Sequence, residues 1–449
     1  MKIMVNLIQN AFQQPTTCAR NALLLGLCCL GSATLRAADW PQYRGANHDG
    51  ISSETILKSW PASGLRQVWK TPTDSGFSSF TVAGNKAFTL VRRQADGKED
   101  EVCLALDAAT GKELWAATVG QAKYDSGGDD GTKENRGGNG PRSTPSVDGD
   151  AVYVLSAYLS LFRLDASSGK VIWKTDLTSE HSGKVIPWQN AASPVLDGDL
   201  IFVAGNVPKD LATNATYQPL LAFNKKDGSL AWKSGTRKDT MTHATPVAAT
   251  ILGMRQVVFF TQSGLVSVAT ESGKELWRYA FRYNVSTAAS PIVSVDIVYC
   301  SAGYDVGSGA VKISKSGDTF SVRELWRTPG NKVSNHWSTP VVKDGYLYGL
   351  FGFKEYGKCP FKCLEMATGK ELWSSPGFGP GGVVLVDGKL VVLSDDGQVV
   401  LLEPNPQAFK ELARFKAIDG KCWNAPALAN GKLYIRSTKE GGCFEIGAN

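Results

Sequence analysis

A short phrase returns along this chain: a tight turn, Gly-Lys, then an aliphatic residue and Trp. It reads LDAATGKELW at 106–115, LDASSGKVIW at 164–173, FNKKDGSLAW at 223–232, VATESGKELW at 268–277 and LEMATGKELW at 364–373. Weaker copies end at Trp69 and Trp326, and a degenerate one ends at Phe415. A repeat of some 40–60 residues marks a propeller or solenoid, in which each unit buries its apolar face only against its neighbours. Most aromatic and Gly-rich features therefore belong to architecture, and function is to be sought where the chain departs from the repeat.

Each Trp phrase follows a second signal, Ser/Thr-Pro and an alternating apolar run, as in STPSVDGDAVYVLS (143–156), ASPVLDGDLIFVAG (192–205) and STPVVKDGYLYGLFG (338–352). Pro opens an inner strand whose first N–H the ladder does not need. Asp-Gly or Asn-Gly supplies the positive-φ hairpin turn. A second and a third strand follow, then the Gly-Lys turn, then a fourth strand carrying the Trp. Four antiparallel strands per unit make one propeller blade. After Cys443-Phe-Glu-Ile446 the last blade lacks a fourth strand, and Leu65–Lys70 supplies one. The expected fold is all-β, an eight-bladed propeller of four-stranded antiparallel blades, closed by an N-terminal strand that completes the C-terminal blade.

The N-terminus reads as a secretion signal: Lys2 and Arg20, then the apolar run Ala22–Gly31, then small residues before Ala37-Ala38. That run is too short to span a membrane. The expected organisation is a signal peptide over 1–37, an N-terminal arm over 38–64 and one propeller over 65–449, in an exported, monomeric chain of the periplasm or cell envelope. Its net charge of +6 falls further when the leader leaves, which argues against nucleic acid. The nine cysteines fall to six once Cys18, Cys28 and Cys29 leave with the leader, and of these only Cys359 and Cys363 are close enough in sequence to suggest a bridge, with buried free thiols the favoured alternative. No spacing matches a zinc site.

The eightfold turn-Gly-Lys-x-x-Trp unit with its Ser/Thr-Pro hairpins resembles the pyrroloquinoline-quinone (PQQ)-like repeat. That family builds the eight-bladed propellers of quinoprotein alcohol dehydrogenases and of BamB-like lipoproteins that assist outer-membrane protein assembly. The opening AADWPQYRGANHDGISSE (37–54) is similar to that of exported PQQ-like propellers from environmental bacteria. Two departures matter. The dehydrogenases carry adjacent cysteines over the cofactor, whereas the Cys28-Cys29 pair lies in the leader here. Leu25-Gly-Leu-Cys28 lacks the small residue that a lipobox places before its Cys.

Five tryptophans lie off the repeat: Trp40, Trp60, Trp188, Trp337 and Trp423. The last three stand just before inner strands, in loops that join blades and face a funnel. Arg142, His243, His336 and Lys421 occupy matching places, with Asn284, Ser286, Asn335 and Asn424 as hydrogen-bonding groups. The candidate ligand site is therefore Arg142, Trp188, His243, His336, Trp337, Lys421 and Trp423. Flat aromatic walls with fixed cations suit a planar anion such as PQQ, a sugar acid, or a peptide. The opposing reading is that these residues plug the channel and satisfy one another.

Other motifs carry less. The Gly-rich insertion 124–140 holds Asp125, Asp129, Asp130 and Glu134, hard oxygen ligands in a spacing unlike an EF-hand, and reads as a solvated loop. Gly377–Gly382 matches GxGxxG but precedes a strand rather than a helix, so it is not a dinucleotide loop. His48 and His181 read as loop residues. Asn214 and Asn284 head glycosylation triplets by pattern. The leading function is a non-catalytic binding or scaffold protein with a protein or peptide partner in the envelope, in the manner of BamB. The alternative is a PQQ-dependent oxidoreductase with Ca²⁺, in which Trp337 or Trp423 stacks the quinone, Arg142 and Lys421 hold its carboxylates, and Asp305 is the nearest base.

Overall fold

The computed structural model describes residues 38–448, apart from 96, 125–139, 206–216, 284–286 and 354–357. Eight antiparallel sheets follow one another around the chain. Blades 1 to 7 span Thr81–Gln121, Ser146–Asp176, Val195–Ser234, Val247–Ala280, Ile292–Thr328, Val341–Ser375 and Gly382–Lys416. Blade 8 is made from Ala427–Ala429, Lys432–Arg436, Glu440–Glu445 and the N-terminal strand Gln67–Pro72. That last pairing sets Trp69 against Cys443 and Lys70 against Gly442, the expected ring closure. Buried Arg436 reinforces the joint, donating to Thr89 Oγ1 at 2.7 Å, to the Leu90 carbonyl at 2.8 Å and to the Asp74 carbonyl at 2.9 Å.

The repeat phrase has a physical cause. At most junctions the Trp indole N–H reaches the following blade: Trp69 donates to the Ala108 carbonyl (2.9 Å), Trp115 to Ala166 (3.1 Å), Trp173 to Lys225 (3.1 Å), Trp232 to Thr270 (2.9 Å) and Trp326 to Met366 (2.9 Å). The turn glycine of that next blade lies flat on the indole. A Cβ on Gly111 would come within 2.7 Å of Trp69, and one on Gly169 within 2.6 Å of Trp115. Both glycines are left-handed, at φ 71° and 73°. Glycine is thus required twice, for its dihedral and for the ring above it.

Two junctions break the pattern and explain themselves. Blade 5 replaces the Gly-Lys turn by the long hairpin Gly307–Ser316 and Thr319–Thr328, so Trp277 has no turn carbonyl to meet. Its indole donates instead to Gln256 Oε1 in its own blade (2.6 Å), and Tyr279 OH crosses to Glu324 Oε2 (2.6 Å). At the seam between blades 7 and 8 the aromatic is Phe415, and Gly64, just ahead of the closing strand, lies against it, with only 2.5 Å for a Cβ.

Ser/Thr-Pro also does more than open strands. Its hydroxyls pass hydrogen bonds around the ring: Ser79 N to Thr144 Oγ1 (3.0 Å), Thr144 N to Ser193 Oγ (2.9 Å), Ser193 N to Thr245 Oγ1 (3.0 Å), Ser290 N to Thr339 Oγ1 (3.0 Å) and Ala425 N to Ser79 Oγ (3.1 Å). An indole belt and an inner hydroxyl ring therefore tie the same blades together.

The N-terminal arm fills the axis. Trp40 makes a two-way backbone bridge with Val82 of blade 1, the Pro41 carbonyl accepts Val147 N–H of blade 2, and the Gln42 amide mimics a peptide group toward Leu196 of blade 3. Arg44, 2% exposed, donates to the carbonyls of Thr339 (2.8 Å) and Pro340 (2.7 Å) at blade 6. Ile51–Ser52 adds a parallel fifth strand to blade 7, opposite Leu385 and Val386. Ile56 and Leu57 then meet Gly447 and Ile446 beside blade 8. Inner strands would otherwise leave buried edge groups unpaired.

Several local expectations also resolve. All six cysteines among the described residues are free and buried, and Cys359 Sγ donates to the Phe353 carbonyl at 3.0 Å, so the 359–363 spacing makes no bridge. At Gly381 and Gly382 a Cβ would meet the Leu393 carbonyl and the Ala425 backbone. Close backbone approach therefore explains the GxGxxG match. His48 is a loop residue, but one buried in the arm. The acidic insertion residues and both glycosylation triplets lie outside the described residues. Among the described residues, no helix is long and apolar enough to cross a membrane.

Candidate functional site

All eight blades send a segment to one concave cavity on the axis. Its lining runs from Phe77 and Ser79 through Arg142, Trp188 and His243 to His336, Trp337, Trp423 and Asn424, with Tyr43 and Arg44 of the arm included. Because the arm occupies the channel among the inner strands, the cavity is a funnel with a closed floor.

Six of the seven expected residues line it: Arg142, Trp188, His243, His336, Trp337 and Trp423. Lys421 does not. It is 0% exposed and sits behind the wall, its Nζ 4.1 Å from the centroid of the Trp423 ring. Burial pulls its pKa down to about 8. It supports the indole by cation–π contact and does not meet a ligand directly. Asn335 is likewise structural: its amide donates to the Leu350 carbonyl and accepts from Tyr299 OH, both at 2.6 Å. Asn284 and Ser286 lie outside the described residues.

Two kinds of aromatic build the wall. Trp337 and Trp423 have ring centroids 4.3 Å apart, and Phe77 stacks on Trp423 at 5.8 Å. His336 is packed between Trp337, Tyr304 and Phe353 at 5.0–5.1 Å, the surroundings of a core imidazole. Trp188 and Tyr304 instead hold left-handed backbones, φ 64° and 57°. For bulky residues this conformation costs about 1–3 kcal/mol, strain that persists only where neighbours impose it. The Trp188 carbonyl accepts from the Arg142 guanidinium at 2.8 Å, and the loop is also tied by Gln189 N–H to the Ile186 carbonyl.

The electrostatics have one sign. Arg44 and Arg142 line the cavity, and no Asp or Glu does so among the described residues. Burial, with Arg142 nearby, lowers the His243 pKa to about 4 and leaves the ring neutral at pH 7. Behind Arg142, Glu101 is fully buried, one oxygen accepting Ala157 N–H at 2.8 Å. Burial pushes its pKa up to about 8, against the pull of the Arg142 charge beside it.

Asp305, the weak base candidate, is exposed and tied to Asn331 at 2.8 Å. It is not in the lining, so that assignment fails. The cavity therefore suits the ring and carboxylates of a PQQ-like molecule, but among its described residues it lacks the anionic oxygen ligand for Ca²⁺ and the base beside it. Tyr43, Arg44, Phe77 and Tyr304 were not legible as site residues: the arm carries no repeat, and the other two sit in loops whose spacing gives no sign of direction.

Residues 98–350, just over half of the chain, match the family model described as outer membrane protein assembly factor BamB. A relative of that name from Burkholderia pseudomallei (strain K96243) is 26% identical over 369 residues, covering 74% of this chain and 87% of the relative. Another, from Moranella endobia (strain PCIT), is 26% identical over 268 residues, covering 57% and 63%. Among solved structures, BamB from Moraxella catarrhalis superposes with a TM-score of 0.55 at 16% identity, over 85% of this chain and 97% of that one. Quinohemoprotein alcohol dehydrogenase from Comamonas testosteroni gives 0.63 at 12% identity, over 92% and 81%. At such identities these two likenesses speak to fold alone, whereas the match of the family model places this chain in the BamB family of PQQ-like β-propellers.

Proposed function

We propose that this chain is an exported, non-catalytic binding protein acting in outer-membrane or envelope protein assembly, with the funnel as the face that receives segments of other proteins. One observation carries the reading: in a BamB-family propeller, the axial cavity has aromatic walls and cationic groups but no described carboxylate to serve as base or metal ligand. Such a lining supports a role in binding. Tryptophan and tyrosine at a concave mouth supply contact area at low entropic cost, and arginine supplies a planar, multidentate donor.

The test is site-specific photocrosslinking in the cell. A photoreactive phenylalanine analogue replaces Trp188, and adducts are identified by mass spectrometry. Adducts to outer-membrane proteins or their assembly components support the reading. Adducts absent at Trp188, together with dye-linked alcohol oxidation by the purified chain supplied with PQQ and Ca²⁺, would replace it with the dehydrogenase alternative.

A further inference from the structure

We propose that the cleft between blades 4 and 5, outside the axial cavity, docks an acidic segment of a protein partner, whose carboxylates meet Lys238, Arg282 and Arg327. This rests on the protein-binding reading above and extends it to a second contact.

Backbone hydrogen bonds bring the segments of this cleft together. Gln262 N–H donates to the Thr240 carbonyl at 2.9 Å, and Tyr283 N–H donates to the Gln262 carbonyl at 3.1 Å. The link from blade 3 to blade 4, the middle turn of blade 4 and the link from blade 4 to blade 5 are thereby fastened side by side. Lys238 comes from the first of these and Arg282 from the third, while Arg327 lies at the end of the last strand of blade 5. All three are exposed, and Tyr283 and Val306 add ring and aliphatic surface to the same lining. Arg327 is held over the Phe281 ring, 4.2 Å from its centroid, and donates to the Ala280 carbonyl at 3.4 Å. Those contacts position the guanidinium without neutralising it.

Charge sets this cleft apart. Elsewhere on the surface Arg66, Arg93, Arg163, Arg255 and Arg414 each meet a carboxylate. Here the acids nearest in sequence are already engaged. Asp239 and Glu275 hold Arg278 at 2.5 and 2.8 Å, Glu324 accepts from Tyr279 OH at 2.6 Å, and Asp305 accepts from Asn331 at 2.8 Å. No Asp or Glu lines the cleft, and Lys238, Arg282 and Arg327 have no ion-pair partner among the described residues. Three like charges in one cleft repel one another, and an incoming run of carboxylates relieves that repulsion. Exposed cations of this kind steer and select a charged protein segment. Position points to the same partner as the funnel does. Tyr283 of the cleft is followed in the chain by Thr287 of the funnel, and Tyr304 of the funnel by Val306 of the cleft. A polypeptide that sits in the funnel and leaves over these loops passes the three cations.

The experiment uses the full chain and fluorescence anisotropy with a labelled peptide of about ten residues in which Glu alternates with Leu and Ser. A control peptide carries Gln in place of every Glu. At low salt the Glu peptide is expected to bind about tenfold tighter or more, and the ratio should shrink toward one as salt approaches about 1 M. Lys238→Gln combined with Arg282→Gln, both at exposed positions, should remove most of the preference while leaving the affinity for the Gln peptide in place. Arg66→Gln, a surface arginine of the paired set, should leave both affinities unchanged. Equal affinity for the two peptides, a preference that survives the double substitution, an equal loss in Arg66→Gln, or no binding of either peptide each overturns the proposal. So does binding to phosphatidylglycerol vesicles that the double substitution abolishes while the Glu peptide shows no preference, which would assign the cleft to lipid headgroups. All of these outcomes are distinct from failure of the protein-binding reading, because photocrosslinking at Trp188 reports on the funnel separately.

Discussion

The tryptophans of this protein fall into two populations, and the contrast separates what holds the ring from what the ring offers. In the belt, Trp69, Trp115, Trp232 and Trp277 are nearly or fully buried and each indole N–H has a partner. Their surroundings repeat because each blade must solve the same contact with the next. At the funnel, Trp188 and Trp337 are half-buried, as Trp173, Trp326 and Trp373 of the belt also are, but Trp188 is backbone-strained and Trp423 keeps an indole N–H with no partner among the described residues. In the belt the indole N–H has a partner in a neighbouring turn or side chain, whereas that of Trp423 faces the cavity without one among the described residues.

The sharpest way to break this contrast is to delete one ring from each population. Trp115→Ala should cost about 3–5 kcal/mol, the usual range for a large aromatic truncated in a core, and lower the thermal midpoint by several degrees. Trp337→Ala should move that midpoint little and weaken ligand capture strongly. Calorimetry on both variants, with binding measured in parallel, decides it; equal stability losses would dissolve the distinction.

The turn glycines come next. Gly169→Ala places a methyl against the Trp115 ring and should destabilise by about 1–3 kcal/mol through strain and overpacking. Gly149→Ala, also left-handed at φ 57° but with nothing within 4 Å of its Cβ, isolates the dihedral cost at about 1 kcal/mol. Urea unfolding of the pair should show the larger loss at 169.

Behind the funnel, Glu101 adds a pH signature of its own. Its folded pKa, raised to about 8 by burial, exceeds the ordinary carboxyl value. Its protonated form is therefore favoured by folding, and the stability this gives is present below about pH 4.5 and is lost as pH rises toward 8. Glu101→Gln removes that titration, so the stability of the variant relative to the parent should climb between pH 5 and 8. His243, with a folded pKa of about 4, acts in the opposite direction, losing stability as pH falls from about 6.5, and is present in both proteins. A flat difference across that interval would contradict the assignment.

The smallest effect is the most informative. Asn424→Ala removes two buried polar atoms without described partners, so stability should hold or rise by up to about 1 kcal/mol while binding falls. A clear loss of stability instead would mean the amide serves the ring.

The belt was legible in the sequence because it repeats. Gly111, Gly169, Gly228, Gly273 and Gly369 recur four residues before Trp115, Trp173, Trp232, Trp277 and Trp373, and the missing fourth strand of the last blade named Leu65–Lys70 as its partner. Arg142, Trp188, His243, Trp337 and Trp423 were legible for the inverse reason, as breaks in that repetition at matching places. Lys421 showed the limit of this: proximity to Trp423 in sequence placed it at the cavity, but the loop turns its ammonium onto the far face of the indole. Asp305 failed likewise, since a neighbour of the lining residue Tyr304 can point outward to Asn331.

By itself, then, the sequence determined the number of blades, the ring closure and the belt of indoles, because each is a local pattern satisfied between neighbours in chain order. Only the tertiary structure decided that residues 40–57 fill the axis, that Tyr43 and Arg44 close the funnel, and that no described carboxylate reaches it. The arm meets blades 1, 2, 3, 6, 7 and 8 through backbone groups and single side chains. Contacts of that kind leave no period in the sequence, since almost any residue carries the N–H and C=O that make them.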